Sequence, residues 1–194
     1  MAEIGLLHPV FAPISAETAN SAITYGTGIV VAKAVSADVT WNRSNNPFYA
    51  DDAVAENDNS IIGGSIKFGI DHLALSVANT MLGETKATVS SIDEYTETDA
   101  IAPAGGFGYI RVLRKGGVTS YRAYWVHKTR FGVASETAKT KGQSIAWENP
   151  TIEGDVIGVH IDTSGNAQYR TKADFSTYAA AESWLHGKAN IAAA

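Results

Sequence analysis

The groups in this chain that could do chemistry are five histidines, twenty carboxylates and fifteen basic side chains. His8, His72, His127, His160 and His186 stand far apart, and neither HExxH nor His-x-His spacing occurs. Zinc ligands that can be read from sequence come as closely spaced pairs, so the spacing defines no metal site. The densest acidic cluster is Asp51, Asp52, Glu56 and Asp58. It lacks the alternating side-chain ligands and the glycine of a calcium loop, and reads as a solvated acidic loop. Asp51 and Asp52 are adjacent, so an extended chain sends them to opposite sides, a poor arrangement for two carboxylates acting on one bond. No GxSxG or suitably placed SxxK marks a serine nucleophile. Cysteine is absent, which removes disulfides, cysteine zinc sites and thiol chemistry. Gly105-Gly106-Phe107-Gly108 lacks phosphate-loop spacing and leads into strand-like sequence, not a helix N-terminus. The expectation is a protein without catalytic, cofactor or metal site, and not an enzyme.

The charge is unevenly placed. Residues 1–100 hold 4 basic and 13 acidic side chains, residues 101–142 hold 8 and 1, and residues 143–194 hold 3 and 6. The net charge is −5. A basic segment in an acidic chain can bind an external anion, meet an acidic surface on a copy of itself, or form a solvated sheet face. Overall acidity argues against tight, sequence-specific nucleic-acid binding.

These groups must be positioned by a chain of 194 residues, a length that suits one domain spanning 1–194 with flexible ends. No run approaches the roughly 20 apolar residues that span a bilayer, and the N-terminus lacks the basic start of a signal peptide. Gly105–Phe131 is the most legible stretch, two strand-like runs flanking Lys115-Gly116-Gly117. A two-residue turn at Lys115-Gly116 or at Gly116-Gly117 gives the same two faces. Gly108, Ile110, Val112, Tyr121, Ala123 and Trp125 make an apolar face, expected to meet the core. Tyr109, Arg111, Leu113, Ser120, Arg122, Tyr124 and Val126 make a mixed face, expected to meet water or a partner. The Gly116-Gly117 turn sets Arg111 opposite Arg122; the Lys115-Gly116 turn sets Arg122 opposite Tyr109.

Elsewhere, Leu6–Ile14 is broken by Pro9 and Pro13 and reads as an irregular or edge segment. Val35–Trp41 alternates strictly, and Ile66, Phe68 and Ile70 share one strand face. Asn42–Ser60 reads as a long polar loop whose Phe48 and Tyr49 either pin it to its own domain or dock on something else. Asp71–Leu82 reads as a helix capped by Asp71 and ended by Gly83, with Leu73, Val77 and Met81 on one face. Glu84–Pro103 reads as an acidic connector with a short strand at Ala87–Ile92. Ser144–Trp147 and Ile157–Ile161 look like strands separated by a turn at Gly154. Ala173–His186 reads as a second, weaker helix with Ser176 as cap. The fold class is mainly β: a β-sandwich or partly closed barrel with one flanking α-helix at about residues 71–82.

Several segments together resemble the major tail tube proteins of long, non-contractile-tailed bacteriophages (siphophage major tail proteins). They are Tyr25-Gly26-Thr27-Gly28 before the Val35–Trp41 strand, Phe48-Tyr49-Ala50-Asp51-Asp52 in the long loop, and Gly63–Ile70. The helix end Met81-Leu82-Gly83, Phe107-Gly108-Tyr109 with its hairpin, and Lys141–Trp147 running into Pro150–Gly154 complete the series. The resemblance covers residues about 20–160 and fades after Ile161. It implies a tail tube-like β-sandwich whose subunits form hexameric rings that stack into a hollow tube for DNA passage. It also implies a tape-measure protein and assembly chaperones as partners, assembly in the host bacterial cytoplasm, and a final place in the virion tail. No cofactor and no membrane are implied. Phe48, Tyr49, Asp51, Asp52, Arg111, Arg122 and Tyr124 become the candidate subunit-interface residues. The alternatives are another virion or secretion-tube sandwich, such as a tail terminator, decoration protein or phage-derived tube, and a hydrolase whose site forms only in the fold.

Overall fold

A computed structural model describes residues 2–133, 135, 140 and 149–192. The chain enters as β1 (Ala2–Ala16), passes the short strands β2 (Thr24–Tyr25) and β3 (Ile29–Val30), and forms β4 (Ala34–Arg43). A hairpin of β5 (Asn46–Ala50) and β6 (Ala53–Asp58) leads to β7 (Ile61–Ile70) and the helix α1 (Leu75–Leu82). A second hairpin, β8 (Thr85–Val89) and β9 (Ile92–Thr96), precedes the long hairpin β10 (Gly105–Lys115) and β11 (Val118–Phe131). β12 (Thr151–Val156), β13 (Arg170–Phe175) and the helix α2 (Tyr178–Ala189) close the order.

The protein is mainly β, with one large antiparallel sheet that is not closed. Its order is β2-β1-β10-β11-β12-β7-β4, with β3 added to β1 and β13 to β11. β11 joins two layers, because its long run changes partner. Tyr121–Val126 pair with β13, while Thr129–Phe131 pair with β12. The sheet curls there, so that β4 reaches back toward β10, where Arg111 Nη2 donates to the Ala37 carbonyl at 3.5 Å. Between the layers lie Phe11, Phe107, Tyr109, Tyr124 and Val126 against Ile66, Phe68, Ile70 and Ile152. The Phe68 and Phe107 rings meet edge to face at 5.0 Å.

A second core lies on the opposite side of the long hairpin. Val10, Ala12, Ile110, Ala123 and Trp125 are covered there by Ala181, Leu185 and Ala189 of α2. Those three recur every fourth residue, which sets one narrow apolar stripe on the helix. Thr177 caps it by accepting from Ala180 N, and Asn190 ends it in the left-handed region at φ 51°.

The long hairpin therefore departs from expectation: both of its faces are buried. The apolar face meets α2, and the mixed face, through Tyr109, Tyr124 and Val126, forms one wall of the inter-layer core. Tyrosine on an inward face reads as amphipathic in a sequence, yet its ring supplies the apolar area a sandwich needs. The turn is Gly116-Gly117, with Lys115 opposite Val118 and both glycines at positive φ, 56° and 82°. That is the geometry of a primed turn, which matches strand twist. Gly117→Val is expected to destabilise the protein by about 1–2 kcal/mol through its left-handed backbone alone. Urea denaturation checks this, and an unchanged midpoint would show that the turn relaxes freely.

Other expectations shift for local reasons. Leu6–Ile14 lies inside the long strand β1, paired with β10 on one side and with β2 and β3 on the other. Pro9 sits at a register shift between Leu7 and Val10, where no ladder donor is required. Asn42–Ser60 is not a loop: β5 and β6 pair from Asn46↔Asp58 to Ala50↔Ala53. Ala87–Ile92 resolves into the β8–β9 hairpin, turning at Ser90-Ser91. Helix α1 starts at Leu75, with Ala74 at its N-cap, because Asp71 Oδ1 accepts from Lys33 N and His72 N instead of capping. Gly83 ends α1 at φ 77°, as expected. Gly154 lies within β12, and Ile157–Ile161 contains only an isolated bridge, Val159↔Gln168. Ala173 belongs to β13, so the second helix begins five residues later than the sequence reading, with Thr177 in place of Ser176 as cap. The expected strand Ser144–Trp147 lies outside the described residues.

Candidate functional site

The β5–β6 hairpin continues the β4–β7 pair, whose register runs to Arg43↔Ile61. It turns at Asp51-Asp52, both left-handed at φ 49° and 60°. Aspartate tolerates that conformation better than most residues, which lets an acidic pair stand where Asn-Gly is the usual signal. Except for Pro47, every residue of both strands is exposed. Phe48 is 65% and Tyr49 63% accessible, and Val54 is exposed beside them. The arm is tied at its base by Ser44 N donating to the Ser60 carbonyl at 2.8 Å and by Ser60 N donating to Asp58 Oδ1 at 3.0 Å. The backbone donor from Ser60 holds the Asp58 carboxyl below its ordinary range. Phe48, Tyr49, Asp51 and Asp52 thus stand together on one projecting arm.

Arg111, Arg122 and Tyr124 lie elsewhere, at the end of the sandwich nearest the hairpin turn. Arg111 and Arg122 are directly opposite each other on β10 and β11. Their repulsion is met by two carboxylates remote in sequence. Arg111 Nη1 donates to Glu3 Oε2 at 2.8 Å, and Arg122 donates twice to Asp174, at 2.6 and 2.8 Å. The bidentate pair with Asp174 holds the Arg122 pKa above its ordinary value. Arg111 also lies over the Tyr124 and Tyr109 rings, at 5.3 and 5.8 Å. Tyr124 is only 5% accessible and stacks on Tyr109 at 5.1 Å. It is a core residue and offers no surface to a neighbour, which corrects its place among the interface candidates. Glu3, Asp174 and Arg170, whose guanidinium stacks between Trp41 and Tyr124, were invisible as members of this cluster. Only the fold brings residues 3, 111, 122, 170 and 174 to one end.

The second projecting hairpin, β8–β9, is exposed along β8 and carries exposed Val89 and Ile92 beside its turn. Its strands are braced by Lys86 to Asp93 at 2.7 Å.

Two histidines titrate away from their ordinary range. His127, 6% accessible on β11, is pushed down to about 4 by burial and, secondarily, by Lys188. Its Nε2 lies 2.9 Å from Thr171 Oγ1. His8 is also lowered, chiefly by burial, with Glu182 opposing. Both are neutral in the fold and chargeable in the unfolded chain. Stability is therefore complete above the unfolded value of 6.5 and falls as pH drops toward 4, by up to about 3 kcal/mol from His127. His127→Gln is expected to flatten this slope in urea titrations across that window. A slope equal to the wild type's would place the effect elsewhere.

Among the described residues, His8, Glu182 and His186 form a group with metal-ligand chemistry. No helix there is long and apolar enough to cross a membrane. No protein-family model matches this chain, and no curated protein matches it either.

Proposed function

We propose that this protein is a structural subunit, without catalytic role, that self-assembles into stacked hexameric rings forming the hollow tail tube of a long, non-contractile-tailed bacteriophage. The observation that carries the reading is the β5–β6 arm. An isolated two-stranded hairpin is marginal in water, and this one buries almost nothing on its own protomer while presenting Phe48, Tyr49 and Val54. A neighbouring subunit supplies the cover such an arm lacks. The open sheet supports the same reading. β4 pairs only with β7 among the described residues, which leaves an edge able to accept a strand from a neighbour. Head-to-tail stacking is an open, heterologous contact that needs two different complementary surfaces on one chain. Net negative charge suits a lumen through which DNA must slide without sticking. A tape-measure protein, tail assembly chaperones and a place in the virion tail belong to this reading.

The experiment is negative-stain microscopy with sedimentation of untagged protein over rising concentration. Rings or tubes are expected; a strict monomer at every concentration and salt would sink the proposal.

Charge enters this assembly through other residues than Arg111 and Arg122, which are consumed by Glu3 and Asp174 within the protomer. Arg114 and Lys115 at the hairpin tip are exposed and have no ion-pair partner among the described residues. Reversing both to Glu is expected to slow tube formation and alter its salt dependence while leaving the melting temperature unchanged. Light-scattering kinetics identical to wild type across a salt series would remove the tip from the contact.

A further inference from the structure

We propose that His8, Glu182 and His186 form a binding site for a divalent transition ion of the zinc class, which clamps α2 to β1. The inference does not depend on the tube reading.

The site begins with a backbone irregularity. His8 lies in β1 with φ 54°, inside the register shift between Leu7 and Val10. A non-glycine residue in the left-handed region carries a conformational cost of about 1–2 kcal/mol, and such residues gather where a side chain must be re-aimed. Here the bulge directs the imidazole toward α2, where the side chain is only 12% accessible. On the helix, Tyr178, Glu182 and His186 recur at four-residue intervals and so share one face. That face flanks the Ala181–Leu185–Ala189 stripe, so α2 docks with its ligand-type residues against β1.

The donor atoms converge. His8 Nε2 and His186 Nε2 are 2.8 Å apart. Glu182 Oε1 lies 3.5 Å from His8 Nδ1, and the Tyr178 hydroxyl donates to Glu182 Oε1 at 3.1 Å. The same hydroxyl is 3.2 Å from His8 Nδ1. One ligand atom from each of the three residues can be chosen so that all lie within 4.8 Å of one another. Tetrahedral zinc with bonds of about 2.0–2.2 Å separates its ligand atoms by roughly 3.3–3.5 Å. The two imidazoles therefore need to part by about half an ångström, and the Glu182 carboxylate, which now faces His8 Nδ1, to turn toward the paired Nε2 atoms, both by side-chain rotation. Two imidazoles and one carboxylate favour zinc, cobalt or nickel over calcium or magnesium. Tyr178, bonded to Glu182, orients the carboxylate from behind. Three protein ligands leave a fourth position for water.

The rival reading is a purely hydrogen-bonded clamp, in which His186 Nε2–H donates to His8 Nε2 and His8 Nδ1–H faces Glu182. Metal titration separates the two. Untagged, chelator-treated protein comprising the whole 194-residue chain is titrated with zinc chloride and, separately, cobalt chloride near neutral pH. The expected result is one zinc per chain with a dissociation constant at or below the micromolar range. Cobalt should give visible bands of tetrahedral intensity, displaced by zinc, and amide exchange in α2 should slow on loading. His186→Ala, at a half-buried position on α2, is expected to weaken zinc binding by at least about a hundredfold. His8→Asn tests the other side and keeps a residue that tolerates the left-handed backbone. His72→Ala, on the exposed segment before α1, should bind as wild type does. Absence of stoichiometric binding, or binding that survives both His186→Ala and His8→Asn in variants whose metal-free melting is intact, would overturn the proposal.

Discussion

Deleting Asn46–Asp58 and rejoining the chain is expected to leave a folded protomer that no longer builds tubes. The deletion removes β5 and β6, which contribute no buried core residue among those described, so melting should move little. What disappears is the exposed apolar surface that the proposed neighbouring subunit would cover, with Phe48 and Tyr49 at its centre. Large aromatic side chains in a well-packed contact are worth about 2 kcal/mol or more each. In the proposed ring the contact recurs at every subunit, so losing two anchors per copy should abolish assembly at any concentration where the unaltered protein forms tubes. Circular dichroism establishes folding and microscopy reads assembly. Tubes from the deletion variant would show that the arm lies outside the contacts. The milder pair Phe48→Ser and Tyr49→Ser should raise the concentration needed for assembly by at least about tenfold.

The second large effect lies inside the protomer. Trp125→Ala is expected to cost about 3–5 kcal/mol. Trp125 is fully buried between the long hairpin and α2. Its ring meets Tyr25 edge to face at 5.1 Å, and its Nε1 donates to the Tyr25 hydroxyl at 3.3 Å. That hydroxyl donates in turn to the His127 carbonyl at 2.8 Å, and burial pushes its pKa up to about 12. Truncation opens a cavity and leaves the tyrosine hydroxyl with one partner fewer. Gly106 and Gly108 are shaped around the same ring, where a methyl on either would overlap it. The loss should also free α2 from the sheet, seen as fast amide exchange over Tyr178–Ala189. A cost below about 1 kcal/mol, with α2 still protected, would show that the helix is held by other contacts. Where the truncation does free α2, zinc at the proposed His8–His186 site should restore part of its protection, which ties this measurement to that site.

The two sets of contacts differ in how legible they were. Ile66, Phe68 and Ile70 alternate, and alternation translates into one buried face whatever strand lies beside it. The long hairpin was equally plain in its pairing, because two glycines between β-rich runs leave few other turns. Its sidedness was not. Deciding between faces required knowing that α2, more than fifty residues later, covers the Trp125 face while β7 and β12 cover the Tyr109 face. The Asn42–Ser60 segment hid for a different reason: its strands bury almost nothing locally, so no hydrophobic period marks them, and their partners are only each other, beyond the end of the β4–β7 ladder.

By itself, then, the sequence determined the β class, the principal strand faces, the hairpin's two admissible turns and the glycine stop of α1. These are local matters of backbone sterics and side-chain period. Tertiary structure alone decided which turn is used, since the Arg111–Arg122 repulsion it creates is met only by Glu3 and Asp174, 108 and 52 residues away. It alone turned Tyr124 inward and stood Phe48 and Tyr49 on an unpartnered arm. It alone brought His8 to His186 across 178 residues. Burial and charge pairing act through distance in space, and a one-dimensional order of residues does not carry that distance.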